Sequence, residues 1–402
     1  MPESPGICNR RWVVIDFETR LAARSRNSSG AISGILALAN ASGVINFSGG
    51  FPEPSLFPTQ LLGDIATRLI AQDAAVALQY APSEGIESVR DAIAGYLKQT
   101  EDRRPADNEL MITSGGIDAV TLLAKSMLDP GDLVVVEEPS YLGAVSGFAA
   151  FSPRLRGVRI DDEGLDAAEL ATVVAGDVPK LIYTIPDYQN PSGRSMSVRR
   201  RHELIDLCRQ HGILIVEDVA YRQLGFAGQT RPSLWSLAPD VVVQIGTFSK
   251  TFFPGVRLGW ATGPVPVVRE LVVAKQNSDQ CAGALGQRML EEYLRAGYFD
   301  VHLPVARELY RKRGTATTSA LAAHMNGRAS WTEPEGGFFT WLHVPGVNTT
   351  TLSRNTDVAF VPGAGFFAER ADTEHLRLSF SRIAEHEIEP GIARLAAAIR
   401  AQ

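Results

Sequence analysis

A chain of 402 residues with 45% hydrophobic and 21% charged side chains can bury large cores, and its formal net charge of −6 speaks against nucleic acid or an anionic membrane surface as a partner. The three cysteines, Cys8, Cys208 and Cys281, form no Cys-x-x-Cys pair, and no two histidines stand at zinc-ligand spacing, so neither a disulfide framework nor a metal site is expected. No apolar stretch reaches the length of a signal peptide or a membrane span, and the expectation is a cytoplasmic protein.

In chain order, the first 28 or so residues lack a clear period and predict an arm with a short helix, while residues 31–40 space their apolar side chains helically. The stretch "INFSGGFPEPSLFP" that follows is too rich in glycine and proline for a regular element. Four runs, "LVVVEEP" (133–139), "LIYTIP" (181–186), "ILIVED" (213–218) and "VVVQIG" (241–246), are almost wholly apolar, as strands buried on both faces of a parallel sheet are. Helical stretches such as Ser197–His211 lie between them. The basic run Arg199–Arg201 at the start of that helix reads as a solvated face, and His202, His211 and His386, in charged helical segments, read the same way. A long helical region is expected over Gln287–Met325, then short alternating strands in "WTEPEGGFFTWLHV", "VAFVPGAGFF" and "HLRLSFS", then an Ala-rich helix. The fold class is therefore α/β, a mainly parallel central sheet with helices on both faces plus a smaller α+β domain. Expected boundaries are 1–56 for the arm and part of the small domain, 57–290 for the large domain and 291–402 for the small one.

Ligands of parallel α/β sheets sit beyond the carboxyl ends of the strands, so the polar residues that close each apolar run are the candidates. These are Asp218 with Tyr221; Thr247, Ser249 and Lys250 with Arg257; and Asn190 in "DYQNPSG". The small-residue turn Gly115-Gly116-Ile117 ahead of the helix expected over 117–128 frees backbone N–H groups for an anion. One ligand accounts for the whole set. Pyridoxal 5'-phosphate needs an amine for its aldehyde (Lys250), a carboxylate for its ring nitrogen (Asp218) and donors to its phenolate oxygen (Tyr221, Asn190). It also needs a phosphate cradle, for which Thr247, Ser249, Arg257 and the Gly115–Ile117 turn are available.

The segment "GTFSKTFFPGVRLGW" resembles the Schiff-base lysine motif of class I/II aminotransferases of fold type I, and "QNPSG", "VEDVAYRQL" and "EPEGGFFTW" resemble further hallmarks in the same order. "INFSGGFPEPSLFP" and "LQYAPSEGIESVRDAI" resemble the branch of 2-aminoadipate and kynurenine aminotransferases, and also the effector domains of MocR-type regulators. The resemblance implies that Tyr141 stacks on the pyridine ring, Arg377 binds the substrate α-carboxylate and Gly50 brings backbone close to the substrate. Asn190 and Tyr141 would touch the substrate as well, and Tyr80 would reach the cofactor phosphate of a partner subunit in a homodimer. The activity implied is transfer of an amino group between an amino acid and a 2-oxo acid, by ping-pong steps through a Lys250 Schiff base.

Other chemistry on the same scaffold, such as elimination, cyclisation or oxidation, stays open because the sequence does not display which Cα bond is broken. A regulatory effector domain is the remoter alternative, since the match begins near residue 30 and leaves no room for a winged helix ahead of it. Aminoadipate-preferring relatives carry an Ile-Arg pair where this chain has Ile32-Ser33, so 2-aminoadipate is expected to be a poor donor.

Overall fold

The four apolar runs fold as parallel strands whose alternate residues enter two different cores. On one face Val134, Val136, Tyr183, Val216 and Ile245 pack against Val120, Leu123 and Phe148. On the other, Val135, Ile182, Ile215 and Val242 meet Leu204, Ile205, Cys208 and Trp235. Each such side chain contributes about 1.5–3 kcal/mol on burial, and Gln244, buried within the fourth run, is accommodated by its hydrogen bond to Glu217.

The computed structural model describes residues 16–26, 43–228 and 230–402. The helix expected over 31–40 lies outside them. Strand Ile45–Asn46 (β1) stands apart from an eight-stranded sheet made of Leu110–Thr113 (β2), Leu133–Glu138 (β3), Arg154–Asp161 (β4), Gly164–Leu165 (β5), Leu181–Thr184 (β6), Leu214–Asp218 (β7), Val242–Thr247 (β8) and Gly259–Thr262 (β9). Its order is β2-β9-β8-β7-β6-β3-β4-β5. Strands β8, β7, β6, β3 and β4 run parallel, whereas β9 is antiparallel to both its neighbours.

The C-terminal part adds Ser330–Trp331 (β10), Phe339–His343 (β11), Val358–Ala359 (β12), Val361–Pro362 (β13) and His375–Ser379 (β14). An antiparallel sheet of order β10-β11-β14-β13 results, and β1 pairs in parallel with β12 in a separate two-stranded sheet. Among the described residues no helix is long and apolar enough to cross a membrane.

Two sequence expectations need correction. The single helical region over Gln287–Met325 is two helices, Ala284–Arg295 and Tyr298–Met325, broken where Gly297 takes φ +70°. A glycine that caps one helix in the left-handed region costs nothing there, and the apolar spacing on either side hides the break. Of the run Arg199–Arg201, read as a solvated face, only Arg199 is exposed. In the helix Val198–His211, capped by Ser197 and ended by Gly212 at φ +67°, Arg200 and Arg201 turn inward with Leu204, Ile205 and Cys208. Arg201, 0% exposed, donates to Asp187 Oδ1 at 2.6 Å. Asp187 in turn meets Arg222 at 2.7 Å, and Arg222 meets Glu101 at 2.8 Å. A buried guanidinium is stable only with such partners, and the network fixes the loop that carries Asn190.

Candidate active site

Strands β3, β6, β7 and β8 all end on the same edge of the large sheet, and β14 faces that edge with Arg377. Between them lies a cleft of about 330 Å³ whose lining includes Gly50, Tyr141, Asn190, Asp218, Lys250 and Arg377.

Asp218 is the last residue of β7 and is buried. Its Oδ2 accepts from the Tyr183 hydroxyl at 2.7 Å and its Oδ1 from Ala220 N at 3.0 Å, while no guanidinium pairs with it among the described residues. Burial pushes its carboxyl up, against those two hydrogen bonds and the charge of Lys250. Glu217, one residue earlier, points to the opposite face, where it accepts from Leu234 N at 2.7 Å and Trp235 N at 2.9 Å. Strand alternation thus gives the cleft one carboxylate and the core the other.

Lys250 sits in the turn after β8. Its Nζ donates to Gly50 O at 2.9 Å and lies 5.9 Å from the centre of the Tyr221 ring. Burial, then the charges of Arg377 and Arg257, lower its ammonium to about 8 against the pull of Asp218. Gly50 is required by space. A Cβ there would come within 2.7 Å of Phe339 Cζ. Tyr221 is buried and its hydroxyl hydrogen-bonds the Asn190 side chain; burial raises it further from ionisation. Tyr141, at the start of the helix Leu142–Ala149, lines the cleft with its ionisation likewise suppressed by burial.

An anion cradle forms where three segments meet. Gly115 takes φ +93°, and a Cβ on it would lie 2.7 Å from Arg257 Nη2, so only glycine fits. Gly116 and Ile117 open the helix Gly116–Met127, whose first N–H groups have no intrahelical acceptor. Arg257 donates through Nη1 to Ser249 Oγ at 3.2 Å and through Nη2 to Ser114 O at 3.4 Å. Thr247 Oγ1 lies 3.0 Å from Ser249 Oγ and accepts from Ser249 N at 3.2 Å, which ties the two hydroxyls into one turn.

Arg377 on β14 is 3% exposed. It donates to Asn190 Oδ1 at 2.9 Å and to Ser48 O at 2.7 Å, and lies 4.2 Å from the centre of the Phe339 ring and 5.3 Å from that of Phe366. Burial lowers it to about 10, and its Nε is buried with no partner among the described residues.

Of the residues singled out from sequence, the cleft therefore gathers Gly50, Gly116, Ile117, Tyr141, Asn190, Asp218, Tyr221, Thr247, Ser249, Lys250, Arg257 and Arg377, with Gly115 against the Arg257 guanidinium. Tyr80 is not brought to it; the ring is 76% exposed and lines no part of this chain's own cleft. Ile32 and Ser33 lie outside the described residues. Sequence reasoning missed Tyr183, which holds Asp218, and Phe339, which shelters Arg377. Tyr183 lies within an apolar run that reads as core, and Phe339 within a stretch that reads only as a short alternating strand.

Pyridoxal phosphate fits this arrangement. A buried carboxylate without a paired cation awaits a protonated ring nitrogen, an amine of lowered basicity awaits an aldehyde, and the Gly115–Ile117 turn with Arg257 awaits a phosphate.

Residues 44–395 match the family model described as aminotransferase class I and II. The chain is 35% identical to the aromatic-amino-acid aminotransferase 1 of Thermococcus litoralis, over 96% of this chain and 95% of that one. It is also 35% identical to the 2-aminoadipate transaminase of Thermus thermophilus, over 93% and 95%. Among solved structures, the kynurenine aminotransferase of Pyrococcus horikoshii, determined in complex with PMP, superposes with a TM-score of 0.91 at 33% identity, over 96% of this chain and 98% of that one.

Proposed function

The chain belongs to the class I and II aminotransferases, enzymes of pyridoxal-phosphate-dependent amino-group transfer, and from that membership we propose that its cleft takes an L-amino acid with a neutral side chain and passes the amino group to a 2-oxo acid. When bound, the cofactor supplies an aldehyde carbon for the amine and a protonated ring that accepts electron density from the substrate Cα.

The protein's residues do the rest. Asp218 holds the proton on the ring nitrogen, in an orientation set by Tyr183 and Ala220 N. The Tyr221 hydroxyl and Asn190 donate to the phenolate oxygen, and Tyr141 packs on the ring. Arg257, Ser249, Thr247 and the Gly115–Ile117 turn hold the phosphate. Arg377 clamps the α-carboxylate through its guanidinium fork, a fixed geometry that orients the Cα–H bond. Lys250 Nζ, its basicity lowered enough to be partly unprotonated near neutrality, carries the proton away from Cα.

The neutral side chain is inferred from one observation. Apart from Asp218, Lys250, Arg257 and Arg377, which those roles engage, the lining among the described residues is apolar or uncharged, with Phe51, Leu142 and Phe339 among its walls. A second carboxylate buried there without a partner costs several kcal/mol, roughly a 10²–10³-fold loss. In a donor screen against 2-oxoglutarate and pyruvate, neutral apolar or aromatic amino acids are expected to exceed 2-aminoadipate in kcat/KM by about that factor. A screen that ranks 2-aminoadipate first would overturn the reading.

We also propose a homodimer in which Tyr80 serves the partner's phosphate site. The support is the exposed run Val76, Leu78 and Tyr80, which lines no part of the cleft of its own chain among the described residues. Hybrids of a Lys250→Ala subunit with a Tyr80→Phe subunit contain one intact site and are expected to exceed the activity of either parent. A fully active monomer in sedimentation would refute the assembly.

A further inference from the structure

Behind the phosphate turn lies a charged cluster that none of these roles uses. The side chain of Lys275, in the helix Val265–Gln276, is 0% exposed. Its Nζ donates to Asp118 Oδ2 at 2.9 Å, to Asp279 Oδ1 at 2.7 Å and to Ser114 Oγ at 3.1 Å. The partners are themselves joined: Ser114 Oγ donates to Asp279 Oδ2, and Ser114 N donates to Asp118 Oδ2 at 2.8 Å. Ser114 is the residue before Gly115, its carbonyl receives Arg257, and Asp118 lies in the first turn of the helix whose N–H groups open the cradle.

The electrostatics of this cluster pose a problem that Lys275 solves. A carboxylate in the first helical turn suits the helix but repels a phosphate dianion drawn to the same N–H groups. Asp279 adds a second negative charge through Ser114. The buried ammonium offsets one of the two, binds both carboxylates and clamps the Ser114 hydroxyl. Without it, two like charges would share one serine beside the bound anion.

We propose that Lys275 is a positioning residue for the cofactor phosphate: it shapes the Ser114–Ile117 turn from behind and neutralises the carboxylate at the helix start. This rests on the assignment of that turn as the phosphate cradle.

The test measures dissociation constants of pyridoxal 5'-phosphate and of dephosphorylated pyridoxal, by absorbance titration of cofactor-free protein. Wild type is expected to prefer the phosphorylated form strongly; no preference would remove the cradle itself, a failure separate from that of Lys275. Lys275→Met is expected to lower the ratio of the two affinities by about tenfold or more, the scale of a lost charge-assisted hydrogen bond, while the affinity for pyridoxal changes little. A general packing defect would weaken both ligands equally and leave the ratio unchanged, and that result would overturn the proposal. Asp118→Asn, which keeps an acceptor for Ser114 N and removes the charge, is expected to preserve or raise the ratio. In that background, Lys275→Met should cost less than it does alone. An undiminished penalty there, or a ratio that falls in Asp118→Asn by itself, would equally count against the role, and the second variant carries the test if Lys275→Met fails to fold.

Discussion

Lys250→Ala is expected to reduce amino-group transfer by roughly four orders of magnitude, the upper end for a lost general acid–base group, and to abolish the visible absorption of lysine-bound cofactor. The reason is positional. The Nζ atom faces the Gly50 carbonyl in the cleft, and no other lysine lines that cleft among the described residues. A variant that still turns over would mean that another group moves the proton. The pH dependence follows from the same site. Capture of the aldehyde needs neutral Nζ, so with the ammonium lowered to about 8 the capture rate should rise with pH and level off above that value. A lysine at the ordinary 10.5 would still be gaining at about pH 9. The sign for folding is the same. Between about 8 and 10.5 the native state binds fewer protons at this position than the unfolded chain, so the cofactor-free protein gains stability as pH rises through that window.

Asp218→Ala should lower kcat/KM by roughly 10³-fold, about 4 kcal/mol of transition-state stabilisation, because the ring nitrogen loses its buried counter-charge. Cofactor affinity should fall much less, since Arg257 and the Gly115–Ile117 turn are untouched. Glu217 offers no substitute while Leu234 N, Trp235 N and Gln244 Nε2 occupy it on the far face of the sheet. Steady-state kinetics with a parallel cofactor titration decides the matter, and near-normal turnover in Asp218→Ala would show that the carboxylate does not hold the ring. Tyr183→Phe should produce a smaller loss of the same kind, because it removes one of the two hydrogen bonds that keep Asp218 ionised and oriented.

The sequence made visible those site residues that follow a strand. Lys250, Asp218 and Asn190 each end or follow an apolar run, and a parallel sheet delivers all such ends to one edge. Arg377 and Phe339 were harder, because they meet through the register of β11 and β14 and not through proximity in the chain. Tyr183 gave no signal: its ring packs in the core while only its hydroxyl reaches Asp218, so its surroundings in sequence are those of any buried strand residue. Lys275 went unread and Arg201 misled for a related reason. A single cation on an amphipathic helix looks the same whether its tip meets water or a buried carboxylate, and although Asp279 is four residues from Lys275, only the third dimension supplies Asp118 and Asp187. The helix break at Gly297 was masked by apolar spacing that continues on both sides of it.

The antiparallel strand β9 has a metric consequence. Lys250 and Arg257 stand on one connection, residues 248–258, whose two ends are pinned by the pairing of Thr247 with Gly259 and by the Phe248 N–H bonded to Leu258 O at 3.0 Å. The amine and the guanidinium to which the proposed function gives the aldehyde and the phosphate thus share one short stretch of backbone tied at both ends, so the distance between them has an upper bound set by contour length. A residue inserted into this connection is expected to relax that bound while the strand pairing at its two ends is kept.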